Sequence, residues 1–167
     1  MSQITFKGNP IHTRESLPQV GMKAPDFRLV GQDLSDQTLK NFRGKKKLLS
    51  IVPSLDTSVC SIMTKRFNDE ASKLKSAIFL VISCDLPFAQ KRFCSAEHTD
   101  RMATLSVMRD RRFAEDYGVL IADGPLEGIC ARAVFVLDEQ DQIVYVELVP
   151  EVTQEPKYEQ ALAHLRE

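Results

Sequence analysis

Two short apolar runs, each followed by a helical pattern, constrain this chain more than any other feature. Leu48-Leu49-Ser50-Ile51-Val52 is continuous rather than alternating, the mark of a strand buried on both faces. After it, Val59, Ile62, Met63, Phe67, Ala71 and Leu74 recur at helical spacing from Ser58 onward. Ala77 to Ser83 is a second buried-type strand, and Pro87 then stands where a first helical position belongs, opening a helix over Phe88 to Ala96. Thr104 to Met108 reads as a weaker strand, and Arg112 to Tyr117 as a short helix stopped by Gly118. Ala133 to Leu137 and Ile143 to Leu148 flank a polar turn and form a hairpin; Tyr158 to Arg166 is a closing amphipathic helix. At the start, Ile4 to Phe6 and Ile11 to Thr13 form a hairpin around Lys7-Gly8-Asn9-Pro10. Ala24 to Val30 is expected to be a strand, Leu34 to Asn41 a turn or short helix ended by Gly44, and Lys45-Lys46-Lys47 a solvated turn. Strand and helix alternate, which predicts an α/β chain with a central mixed sheet and parallel crossovers.

The 167 residues fit one domain, 1–167, and a hydrophobic share of 43% supplies a full core without staples. A net charge of -1 gives no nucleic-acid footprint. No apolar run is long enough to span a bilayer, so no membrane partner is expected. Met1 to Lys7 has no apolar signal core, which favours a cytoplasmic protein over a periplasmic one.

Four cysteines are present: Cys60, Cys84, Cys94 and Cys130. None forms a C-x-x-C pair, and His12, His98 and His164 have no ligand spacing, so neither a metal nor a cofactor is expected. Cys60 stands out by position. It follows Pro53-Ser54-Leu55-Asp56-Thr57-Ser58-Val59, where a buried strand ends and a helix begins. In a helix's first turn the free amides and the macrodipole favour an anion, and the thiolate is the nucleophilic form of cysteine. Thr57 falls on the same face of that turn and is placed to donate a hydrogen bond to the sulfur or to an incoming oxygen. Pro53 lacks an N–H and can wall off the sulfur without competing for bonds. The competing reading of Cys60 is a small buried hydrophobe.

Pro53-x-x-x-Thr57-x-x-Cys60 after a buried strand resembles the peroxiredoxin active-site signature. Ala24-Pro25-Asp26-Phe27 resembles an early strand of that family. The Asp85 to Cys94 segment, Ile121 to Leu126 and Ala131-Arg132-Ala133-Val134 are similar to the bacterial thiol peroxidase branch. The resemblance covers essentially the whole chain. It implies a thioredoxin-like fold: a central mixed sheet, flanking helices and the N-terminal β-hairpin. It also implies a thiol-dependent peroxidase in which Cys60 attacks a hydroperoxide and becomes a sulfenic acid. Thr57 and the Cys60 amide would polarise the peroxide, and Arg132 would be the cation that stabilises the thiolate and the departing oxyanion. Cys94 would be the resolving cysteine, forming an intrachain disulfide with Cys60 that thioredoxin reduces. Hydrogen peroxide and alkyl hydroperoxides are the implied substrates, and a homodimer the implied assembly.

Cys60 and Cys94 lie on helices after successive parallel strands, so both helices are expected on one face of the sheet. Cys94 is about two turns into its helix, however, while Cys60 is in the first turn of its own. Disulfide geometry is strict, so the pair requires local unwinding. Cys84 is expected in the core and Cys130 in an exposed loop, neither with a role. The position of Met63 is commonly polar in thiol peroxidases, so a hydrogen bond is missing here. Two other functions share parts of this pattern: a redox sensor or binding protein using the same cysteines, and a cysteine hydrolase pairing Cys60 with His98.

Overall fold

The apolar run at residues 48–52 becomes the centre of the sheet in the computed structural model, which describes residues 1–167. The strands are β1 (Gln3–Phe6), β2 (Asn9–His12), β3 (Leu29–Val30), β4 (Asp36–Gln37), β5 (Lys47–Ile51), β6 (Ile78–Ser83), β7 (Ala103–Ser106), β8 (Ala133–Leu137) and β9 (Ile143–Leu148). The helices are α1 (Ser58–Lys73), α2 (Pro87–Glu97), α3 (Arg112–Asp116) and α4 (Tyr158–Arg166). Strands β1 and β2 form the N-terminal hairpin, and the other seven form one sheet in the order β4-β3-β7-β6-β5-β8-β9. Strand β5 is parallel to β6 and antiparallel to β8, and β6 is parallel to β7. The fold is α/β and thioredoxin-like, with a mixed sheet, flanking helices and a leading hairpin.

Side-chain alternation along the strands builds two cores. Leu48, Phe79, Val81, Val134 and Val136 pack with Cys60, Met63 and Phe67 of α1 and Leu162 of α4. Leu49, Ile51, Leu80 and Ile82 pack on the opposite face with Phe113, Ala114 and Tyr117. The crossovers from β5 to β6 and from β6 to β7 step in the same direction, so right-handed connections put α1 and α2 on one face. The two helices meet there: Lys65 pairs with Glu97 at 2.5 Å, and the Asn68 side chain donates to the His98 carbonyl and accepts from the Arg101 amide.

Four local expectations are corrected. Only Leu29–Val30 of the 24–30 segment is a strand. Pro25 has no N–H to give a ladder, and the Asp26 carboxylate binds the amides of Phe27 and Leu39 instead. The segment after it is a two-residue strand, β4, and then a 3-10 turn over Leu39–Phe42. Lys47 is not in a solvated turn: it begins β5, is fully buried, and lies 2.7 Å from the Asp141 carboxylate. A buried ammonium persists only when paired in this way. Cys130 is fully buried rather than exposed, because it bridges Leu120 and packs into the second core, while Cys84 is only half-buried.

Candidate active site

Three chain segments converge at the carboxyl ends of β5 and β6, where ligand sites form in such sheets. The first is the loop from Pro53 to Thr57. Pro53 is buried directly after β5 and the loop then turns outward to Thr57. Asp85, just beyond β6, holds the loop by accepting from the Ser54 hydroxyl at 2.7 Å and the Leu55 amide at 2.8 Å. The third segment enters β8. Ala133 pairs with Ile51, so Arg132 lies at the edge where β5 ends.

Thr57 is the N-cap of α1, and Cys60 is the third helical residue. The Thr57 Oγ1 accepts from the Cys60 amide at 3.4 Å and donates to the Ser54 carbonyl at 3.2 Å. In this geometry the hydroxyl is used to cap the helix rather than to donate to the sulfur, and the Cys60 amide is already engaged by a long bond.

The Cys60 sulfur is fully buried and faces Arg132, whose Nη1 donates to it at 3.2 Å. Arg132 is 1% exposed. Its Nε and Nη2 both donate to the Val152 carbonyl, at 3.0 and 2.8 Å, and Nη1 also reaches the Met63 Sδ at 3.6 Å. None of these partners is a carboxylate. Sequence reasoning missed two of them. The Val152 carbonyl carries no side-chain signal, and Met63 occupies its position as a thioether acceptor rather than as a simple loss.

Cys94 is buried in α2, and it and Cys60 are both free thiols. No disulfide joins them, and their neighbours differ. Cys60 points to the β8 side of α1, where Arg132 lies. Cys94 lines a cleft of about 540 Å³ near β7, with Phe42, Met102 and Leu105. Cys60 is the third residue of α1 and Cys94 the eighth of α2, and a disulfide between them demands strict geometry, with Cα atoms within roughly 7 Å. His98 is exposed and caps the far end of α2, so it offers no base to Cys60 and the hydrolase reading loses its second residue. No helix is long and apolar enough to cross a membrane.

Residues 19–162 match the Redoxin family. A thiol peroxidase of Leptospira interrogans is 52% identical over 165 residues, covering 98% of this chain and 96% of its own. A thiol peroxidase of Mycobacterium bovis is also 52% identical over 165 residues, with 99% of each chain covered. Among solved structures, a peroxiredoxin-like protein from Aquifex aeolicus superposes with a TM-score of 0.94 at 38% identity, over 99% of this chain and 96% of that one. A thiol peroxidase from Chromobacterium violaceum shares the fold, with a TM-score of 0.90 at 23% identity over 98% and 95% of the two chains.

Proposed function

The chain belongs to the Redoxin family as a peroxiredoxin-type oxidoreductase with thiol peroxidase function, and from that premise we propose that Cys60 is the peroxidatic cysteine and Cys94 its resolving partner. The observation that carries this reading is the buried Arg132 with no carboxylate, its Nη1 3.2 Å from the Cys60 sulfur. A buried guanidinium without an anion is costly, and a Cys60 thiolate supplies the missing charge.

The thiolate attacks the terminal oxygen of hydrogen peroxide or an alkyl hydroperoxide. The O–O bond breaks, water or alcohol departs, and Cys60 becomes a sulfenic acid. Arg132 balances the charge as it moves from sulfur to the leaving oxygen. The long bond between the Cys60 amide and Thr57 is exchangeable, so that amide and the hydroxyl can turn to the bound peroxide, with Pro53 closing the wall behind it. Cys94 then attacks the Cys60 sulfur, an S–S bond forms and water leaves. The first turn of α1 and the end of α2 must unwind for this, because Cys60 and Cys94 are separate free thiols held inside their own helices. A thioredoxin-type dithiol returns the disulfide to two thiols.

A homodimer fits the same end of the molecule, where Ile62, Leu86 and Phe88 expose 52, 54 and 66% of their surface. Sedimentation at micromolar concentration reports it directly, and a monomer there removes this part of the proposal.

Two variants separate the roles of the cysteines. Cys60→Ser is expected to abolish rapid peroxide turnover with thioredoxin as the reductant. Cys94→Ser is expected to oxidise Cys60 once and then lose rapid turnover, because thioredoxin has no Cys60–Cys94 disulfide to reduce. Full steady-state turnover by Cys94→Ser would remove Cys94 from the cycle.

A further inference from the structure

The other two cysteines form a pair of their own. The Cys84 and Cys130 sulfurs are 3.7 Å apart, within reach of a thiol–thiol hydrogen bond. They pack with the second core, on the face of the sheet away from the Cys60 core. Cys84 lies in the bend after β6, outside the strand ladder, and lines a cleft of about 860 Å³ together with Arg109, Arg111, Arg112, Leu120 and Ile129. Arg109 is paired with Asp36, whereas Arg111 and Arg112 make no ion pair within the chain. Cys130 is fully buried behind Cys84. The pair therefore has one sulfur that a small oxidant can reach through the cleft and one that it cannot.

We propose that Cys84 and Cys130 are a second redox-active dithiol, separate from Cys60 and Cys94, that a hydroperoxide entering the arginine-lined cleft oxidises to a disulfide. Cys84 attacks the terminal peroxide oxygen; the O–O bond breaks, the alkoxide or hydroxide leaves and is protonated, and Cys84 becomes a sulfenic acid. Cys130 attacks that sulfur, the S–S bond forms, the S–O bond breaks, and the hydroxide takes the Cys130 proton as water. Two thiols and one hydroperoxide give one disulfide, one alcohol or water, and one further water. The order of attack follows the surroundings of the two sulfurs. The Cys130 hydrogen bond lowers the Cys84 pKa to about 7 against the opposing effect of burial, with Arg111 helping. The same contact, and then burial, push Cys130 well above its ordinary value. The sulfurs must close by about 1.6 Å to reach bonding distance. Cys84 is followed at once by Asp85, which holds the Pro53–Thr57 loop, and Cys130 is two residues before Arg132. The bond therefore ties together the two segments that frame Cys60.

The test is a disulfide map of the full chain after exposure to excess hydrogen peroxide and alkylation of the remaining thiols. It is run on the wild type and on the Cys60→Ser/Cys94→Ser variant, in which only this pair can respond. Trypsin isolates each cysteine, in Ser76–Lys91 and Phe113–Arg132. The expected result is these two peptides cross-linked in both proteins, in the majority of chains. Recovery of both as separately alkylated thiols in the wild type overturns the proposal. So does Cys84 recovered as a sulfinic acid beside an intact Cys130 thiol, because the contact would then not resolve. The double variant keeps this outcome independent of the role given to Cys60: a cross-link there stands even if Cys60 proves not to be peroxidatic.

Discussion

A guanidinium that is almost wholly buried and has no carboxylate is a liability unless a nearby anion balances it. At residue scale this is the most informative contact in the molecule. Arg132 is fixed by two bonds to one carbonyl and has its remaining nitrogen on two sulfurs. Arg132→Met removes the charge while keeping apolar bulk. We expect kcat/KM for peroxide to fall by about two orders of magnitude, the size seen when one preorganised electrostatic group is lost. The variant should melt only slightly lower than the parent, because the buried charge leaves with the side chain while the Val152 carbonyl loses two donors. Stopped-flow peroxide consumption and a thermal melt on the same sample check both halves. A large drop in melting temperature with unchanged kcat/KM would make Arg132 structural instead. Met63→Leu tests the thioether separately. It conserves volume, so its stability cost should stay below about 1.5 kcal/mol. A fall in kcat/KM beyond that seen for other volume-conserving core changes would assign the sulfur a share in orienting Arg132.

At the scale of elements, the site depends on the N-cap of α1 and on the N-terminal hairpin. Thr57→Val removes the cap and should cost about 1 kcal/mol of stability, while Thr57→Ser restores most of it. Chemical denaturation of the three proteins shows this. The hairpin's role is less obvious. Thr5 exchanges backbone bonds with Pro150 and Val152, and the Glu151 carboxylate accepts from the Thr5 hydroxyl and from the amides of Lys7 and Gly8. The hairpin thus holds the segment whose Val152 carbonyl anchors Arg132. These bonds, that from Thr5 first, hold the Glu151 carboxyl well below the usual carboxylate range. Its folded value is depressed, so its contribution is present above the ordinary value of 4.5 and is lost as pH falls below it toward the folded value. Amide exchange in β1 and β2, corrected for its intrinsic pH dependence, should lose protection as the solution is acidified below that point. In Glu151→Gln the protection should be lower throughout and insensitive to the same change. Equal protection in both proteins at neutral pH would free the hairpin from this role.

The element scale also marks how far sequence reasoning reaches. Strands β8 and β9 and helix α4 were legible to the residue, because their periodicity is local and strong. Cys60 in a helix's first turn was legible for the same reason: a buried strand, a short loop with Thr57, and a helical stripe define it without distant information. Lys47 was misread because its partner, Asp141, sits on the β8–β9 turn, and only the folded sheet brings the two together. The Ala24–Val30 segment looked like a strand, but Pro25 has no amide hydrogen and the Phe27 amide is taken by the Asp26 side chain, which composition does not reveal. Cys130 was expected in an exposed loop, whereas burial there is set by Leu120 across a bridge. What stayed invisible was partnership over distance: Arg132 on Val152, and Cys84 on Cys130.

At the scale of the whole molecule, the sheet keeps its thiols apart. Cys60 of α1 packs into the core on one face, Cys94 of α2 lines a separate cleft, and Cys84 with Cys130 lie on the other face. On the proposed cycle, a conformational step separates peroxide chemistry at Cys60 from resolution by Cys94. Oxidation to the Cys60–Cys94 disulfide should cost the first turn of α1 and the last turns of α2 their exchange protection, while β5 and β6 stay protected. Hydrogen exchange on the reduced and oxidised proteins distinguishes this from a rigid site.

The central claim, that Cys60 paired with Arg132 is the group that meets peroxide, is tested most directly by trapping the first product. Cys94→Ser is given one equivalent of hydrogen peroxide in the presence of dimedone, then digested and mapped. The account predicts a dimedone adduct on Cys60 in most chains, reduced sharply when Arg132→Met is added. An adduct on Cys84 with Cys60 recovered as a free thiol would contradict it.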